Sequence, residues 1–155
     1  MTDNKQKKVL YIKNAAFFNE VKQLLRKNAC NSVTIVVRGY SMRPFLEDLR
    51  DKVILSSPKP PQKGQVVLVE LEPDTYILHK IIKIEGNTIT MRGDGNALSQ
   101  KETFQADKII GTVTTFIRKG REIDADSRLW RTYSATWEFL RPIRRLLLAI
   151  YRRII

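Results

Sequence analysis

Residues 65–91 read QVVLVELEPDTYILHKIIKIEGNTITM, three apolar and β-branched runs divided by Pro73-Asp74 and Gly86-Asn87. Those dividers are turn chemistry, so the stretch predicts strands at Gln65 to Leu71, Tyr76 to Ile84 and Thr88 to Met91. Working outward, further strands are expected at Lys52 to Leu55 and Lys108 to Ile117, separated by Pro58-Lys59-Pro60-Pro61, Lys63-Gly64 and Gly93-Asp94-Gly95-Asn96. Upstream, the β-branched run Val33-Thr34-Ile35-Val36-Val37 is bounded by Gly39 and reads as a largely buried strand that delivers Ser41 into a turn. No helix falls between these strands. The fold class is mainly β with flanking helices, an antiparallel sheet or partly open barrel.

The flanks are helical. Phe17, Phe18, Val21, Leu24 and Leu25 recur at spacings of three and four, which predicts an amphipathic helix from Asn14 to near Asn28. From Ser127 to Ile155, Trp130, Tyr133, Trp137, Leu140, Leu147, Tyr151 and Ile154 fall three, four or seven apart, among seven arginines and one acid, Glu138. This is a basic amphipathic helix, kinked or split at Pro142. The chain divides into an N-terminal helix over 1–30, a β domain over 31–125 and a C-terminal helix over 126–155.

At 155 residues, 43% hydrophobic and 28% charged, the composition is that of one folded domain with appendages. The formal net charge of +12 attracts anions, whether phosphates, acidic lipid headgroups or an acidic peptide. A single cysteine, Cys30, cannot form an internal disulfide and stands in no metal-ligand spacing, so a reducing compartment fits and neither metal nor cofactor is expected. Met1 to Lys8 is polar and is followed only by a short apolar stretch, unlike a signal peptide. Arginines interrupt the best candidate for the roughly 20 apolar residues that span a bilayer. The expected location is cytoplasmic, with peripheral attachment at a membrane surface as the further possibility.

Three short motifs follow in order: Gly39-Tyr40-Ser41-Met42-Arg43-Pro44, Leu78-His79-Lys80-Ile81 and Arg92-Gly93-Asp94-Gly95-Asn96. Singly, each has an ordinary structural reading as a turn, a core histidine or a β-turn. In order, they resemble the type I signal peptidases, especially the Ser-His branch, and more distantly the LexA-type self-cleaving repressors. In that superfamily a strand leads into a Ser-Met-x-Pro turn carrying the nucleophile, as Ser41-Met42-Arg43-Pro44 does. Asp51-Lys52-Val53 and Gly64-Gln65-Val66-Val67 stand where relatives have Gly-Asp-x-Val. His79-Lys80-Ile81 matches the strand bearing His-Arg-Ile, Gly93-Asp94-Gly95-Asn96 the Gly-Asp-x-Asn turn, and Ile110-Gly111-Thr112-Val113 the closing Ile-Gly-x-Val. The resemblance spans roughly Val33 to Ile123. It implies a catalytic domain of that fold, a Ser41 nucleophile and an oxyanion donor in the Ser41 backbone N–H, with Tyr40, Met42 or Ser32 beside it.

Elementary chemistry agrees. A serine hydroxyl requires a base whose pKa lies near the working pH, and His79 is the only imidazole in the chain. Strand alternation puts His79 on the opposite face from Lys80, so a Ser-Lys dyad would need Lys83 or Lys52. For the group that orients His79 the alternatives are Asp94, Gln100 as a neutral partner, or none. In the relatives the acid lies about six residues beyond the Gly-Asp, and Ser99-Gln100 occupies that place.

The function expected is a serine endopeptidase acting on a peptide or protein segment bound in extended form along a β edge, through an acyl-enzyme at Ser41. Small residues before the cleaved bond are implied by the resemblance. The alternative is a peptide-binding module of the same fold without turnover, motivated by Gln100 and by Lys80 in the place of the family arginine. A nucleic-acid-associated protein is a third reading, but a single N-terminal helix cannot make a helix-turn-helix, which argues against sequence-specific DNA binding. For residues 127–155 the choices are packing on the β domain or peripheral association with an anionic membrane.

Overall fold

The computed structural model describes residues 14–27 and 32–155, so Cys30 and the polar stretch before Asn14 lie outside the described residues. Helix α1 (Asn14–Arg26) precedes strands β1 (Val33–Val36), β2 (Lys52–Ser56), β3 (Val66–Glu72), β4 (Thr75–Glu85), β5 (Thr88–Arg92), β6 (Glu102–Gln105), β7 (Ile109–Arg118) and β8 (Arg121–Asp124). Helices α2 (Arg128–Phe139) and α3 (Arg144–Ile154) follow. The strands make one antiparallel sheet in the order β1-β2-β7-β3-β4-β5-β6, with β8 paired to β7. Its end strands β1 and β6 do not pair with each other, so the sheet is open.

The meander of residues 65–91 forms β3, β4 and β5 with the turns where Pro73-Asp74 and Gly86-Asn87 predict them. Asp74 takes a positive φ of 64° and Gly86 one of 59°, conformations that favour short polar residues and glycine. β3 is apolar at successive positions because both of its faces are covered. Val66 and Leu68 face the main core with Ile35, Val53, Leu55, Ile110 and Phe116, while Val67 and Val69 face a second core with Ile81, Ile89, Met91 and Phe104. β6 and β8 are additional to the strands that the sequence predicts. Each has four residues, and β6 buries only Phe104, too short an apolar run to mark a strand.

α1 buries Val21 and Leu25 against the main core, and Phe18 stacks on Tyr76 of β4 at 5.1 Å. Gly111 makes this contact possible, since a Cβ there would stand 2.9 Å from Leu25 Cδ1 and 2.9 Å from Ser56 O.

The C-terminal helix is split. α2 starts at an Ser127 cap whose side chain accepts from Trp130 N, ends at Phe139, and passes through a 3₁₀ turn over Arg141–Ile143 that holds Pro142. Trp130 sits 4.9 Å from Phe45, 4.5 Å from Phe116 and 5.4 Å from Tyr133, ring centre to ring centre. Burying each such aromatic side chain contributes about 1.5–3 kcal/mol, so α2 is an integral part of the domain. Among the described residues no helix is long and apolar enough to cross a membrane.

Candidate active site

The Ser41 turn is built to be held still. It follows β1 through Gly39, whose φ of 83° turns the chain and whose N–H donates to Asp48 Oδ1 at 2.7 Å. On either side of the partly exposed Ser41, Tyr40 faces solvent, whereas Met42 is 2% exposed and Phe45 and Leu46 are sunk in the main core. Met42 therefore anchors the turn, its side chain packed in the main core. Asp51, fully buried, accepts from the Glu47 and Lys119 N–H groups at 2.8 and 3.0 Å and pairs with Arg50. Burial opposes charge on Asp51, but Arg50 and these backbone donors outweigh it and hold the carboxyl below its usual range. Arg43 makes a forked pair with Glu47, 2.6 Å at the closest, and lies 4.1 Å above the Tyr40 ring. Tyr40 is thus fixed at the surface by Arg43, and Ser32 stands exposed before β1, at the opposite end of the strand from Ser41.

The Gly93-Asp94-Gly95-Asn96 turn docks directly on this loop. Gly95 N donates to Ser41 O at 2.7 Å. A Cβ on Gly93 would stand 2.3 Å from Ser41 O and 2.9 Å from His79 Nε2, and one on Gly95 only 2.5 Å from Tyr40 O. Both glycines are required by this backbone approach rather than by turn conformation, since neither has a positive φ. The same figures place the His79 ring edge and the Ser41 turn on either side of one point above Gly93.

His79 comes from β4 and is 4% exposed. Its Nδ1 lies 2.9 Å from Glu102 Oε2, on β6. A carboxylate partner assigns the proton to Nδ1, which leaves Nε2, on the Gly93 and Ser41 side, as the acceptor. Among the described residues the Ser41 hydroxyl and the Ser41 N–H have no hydrogen-bond partner. The arrangement is an orienting acid, an imidazole with a free acceptor nitrogen, and a serine turn packed against it, with a free N–H in that turn suited to an oxyanion.

Asp94 does not orient His79. Its buried carboxylate faces the other side of the sheet, 2.8 Å from Lys80 Nζ, and accepts from Tyr133 OH at 3.1 Å, while its carbonyl accepts from Trp137 Nε1 at 2.9 Å. Gln100 is exposed and folds back on its own turn, its side chain accepting from Ala97 N at 3.2 Å. The group that binds His79 was missed because it lies eight positions beyond Asp94, two past Gln100, on a strand too short to be read. The available signal was the Glu102-Thr103-Phe104 alternation, which puts an acid on the same face as a buried aromatic.

Lys80 belongs to a buried charge cluster behind the site. Beside Asp94 it meets Glu138 at 3.5 Å, and Glu138 also pairs with Arg92, Arg141 and Arg144. Burial works against charge on Glu138, but Lys80 and the three arginines outweigh it and hold the carboxyl at about 2. Burial, aided by Asp94, pushes the Tyr133 phenol well above its ordinary range. The cluster locks α2 to the backs of β4 and β5, and so fixes the backbone of His79 and Gly93. Lys83 and Lys52 are exposed, Lys83 beyond a bulge in β4 and paired with Glu85. Among the described residues no group of three His, Cys, Asp or Glu side chains could hold a metal.

No protein-family model matches this chain, and no curated protein matches it.

Proposed function

We propose that the chain is a serine endopeptidase of the signal-peptidase and LexA type, working through Ser41, His79 and Glu102. The observation that carries this reading is the His79 contact: Nδ1 is held by Glu102 while Nε2 abuts the turn that presents Ser41. Ser41 Oγ attacks the scissile carbonyl as His79 Nε2 takes its proton, and Glu102 stabilises the resulting imidazolium. The Ser41 N–H receives the oxyanion. His79 then returns the proton to the leaving amine, leaving an acyl ester on Ser41, which water hydrolyses with His79 again as base.

The open edge of the sheet supports a peptide substrate. Among the described residues the outer edge of β1 is unpaired, and β1 leads through Gly39 into the Ser41 turn. An extended peptide added to that edge would present its backbone carbonyls to Ser41.

The test is labelling with an acylating serine probe, read by intact mass. One adduct on wild type that is absent from Ser41→Ala and His79→Ala supports the peptidase. A folded protein that takes no adduct across a pH series refutes it and leaves the binding module, the reading favoured by a Ser41 hydroxyl that has no hydrogen bond to His79.

A further inference from the structure

The inward face of the C-terminal helices is occupied by Trp130, Ser134, Trp137, Arg144 and Leu148, all buried. A second apolar stripe points away from the domain. Phe139, Ile143, Leu146, Ile150 and Ile154 follow one another at intervals of four, three, four and four, and all are exposed, Phe139 by 84% and Ile154 by 77%. Within α3 this spacing keeps Leu146, Ile150 and Ile154 on one face, and the exposed Phe139 and Ile143 extend the apolar ridge across the preceding turn.

The charges beside the ridge are of one sign. No acid occurs from Phe139 to Ile155. Arg145, Arg152 and Arg153 are exposed and, among the described residues, have no ion-pair partner, unlike the buried Arg144. Arg145 and Arg152, seven apart, stack along one flank, and Arg153 stands three residues from Ile150 at the ridge margin.

We propose that this ridge docks on an anionic lipid bilayer, with α3 lying in the plane of the surface. The apolar side chains enter the acyl boundary and Arg145, Arg152 and Arg153 meet the phosphates of acidic headgroups. With 11 residues α3 is too short to span a bilayer that needs roughly 20. A second copy of the chain is disfavoured because it would bring the same unpaired arginines together. A nucleic acid would use the arginines and leave the five large apolar side chains in water. This surface is independent of turnover at Ser41.

The test is co-sedimentation of the full chain with phosphatidylcholine vesicles, alone and mixed with phosphatidylglycerol. Wild type should bind only the mixed vesicles and be released by salt. A Leu146→Glu/Ile150→Glu variant should lose binding, and an Arg145→Gln/Arg152→Gln/Arg153→Gln variant should bind roughly a hundredfold more weakly, each with an unchanged thermal midpoint because every changed side chain is exposed. Equal binding to neutral vesicles, no binding of wild type at low salt, or wild-type affinity in either variant would overturn the proposal. So would a dimer that the Glu variant dissolves, or DNA binding that only the Gln variant loses in the absence of lipid binding.

Discussion

Glu102 reaches His79 across an intervening strand, its Oε2 lying 2.9 Å from Nδ1 although β5 runs between β4 and β6. Lys80 pairs with Arg92, so the position beside His79 falls on Gly93, whose missing side chain leaves room for the Nε2 edge of the ring and the Ser41 carbonyl. The gap just past β5 lets the imidazole and the Ser41 turn converge, while Glu102 holds the other ring nitrogen.

Replacing the acid separates the two carboxylates that the motif region offers. Glu102→Gln should slow probe acylation of Ser41 on the order of a hundred- to ten-thousand-fold, with little change in stability. Asp94→Asn should do the reverse, lowering the thermal midpoint by breaking a buried pair with Lys80 while acylation of the folded protein persists. Rates and melting curves exchanged between the two variants would return the orienting role to Asp94.

Gly93→Ala should be disproportionately harmful. The added methyl must displace the Ser41 carbonyl at 2.3 Å or the His79 ring, costing about 1–3 kcal/mol and the probe adduct together. Gly120→Ala, in the β7–β8 turn, meets nothing within 4 Å but forces alanine to a φ of 77°. It should cost on the order of 1 kcal/mol and leave labelling intact. Intact mass and chemical denaturation of both variants check this.

The lysines offered by a dyad reading should be dispensable. Lys52 and Lys83 are exposed and, among the described residues, neither bonds to Ser41, so Lys52→Ala and Lys83→Ala should stay within about 0.5 kcal/mol of wild type and label at its rate. Loss of the adduct in either variant, with folding retained, would replace His79 by a lysine base.

Acid should loosen the C-terminal helices from the sheet. Glu138 is held at about 2 against an ordinary value of 4.5, and Asp51 is also lowered. With a depressed folded-state pKa the unfolded chain takes up protons first, so this stabilisation is complete above the ordinary value and is lost as pH falls through the folded one. The thermal midpoint should therefore drop between about pH 4.5 and about 2. Glu138→Gln should lower it at neutral pH and flatten the acid limb. A pH-independent midpoint in wild type would contradict the network around Glu138.

The chain's own letters determined the β meander, because each strand is a run of β-branched and apolar residues closed by local turn chemistry, and such preferences act within a few residues. They also singled out Ser41, delivered by β1, and His79, the one imidazole. Tertiary structure alone decided which acid meets His79, since that contact depends on the register of β4, β5 and β6. It likewise decided that Asp94 points behind the site, on the side where strand alternation already puts Lys80, and which helical face is covered. Trp130 and Trp137 follow the sequence periodicity inward, but the turn at Arg141–Ile143 resets the phase, so Ile154, read with them, comes out on the exposed ridge. A periodic pattern specifies that a helix has a face; the packing of the rest of the molecule determines which way that face looks.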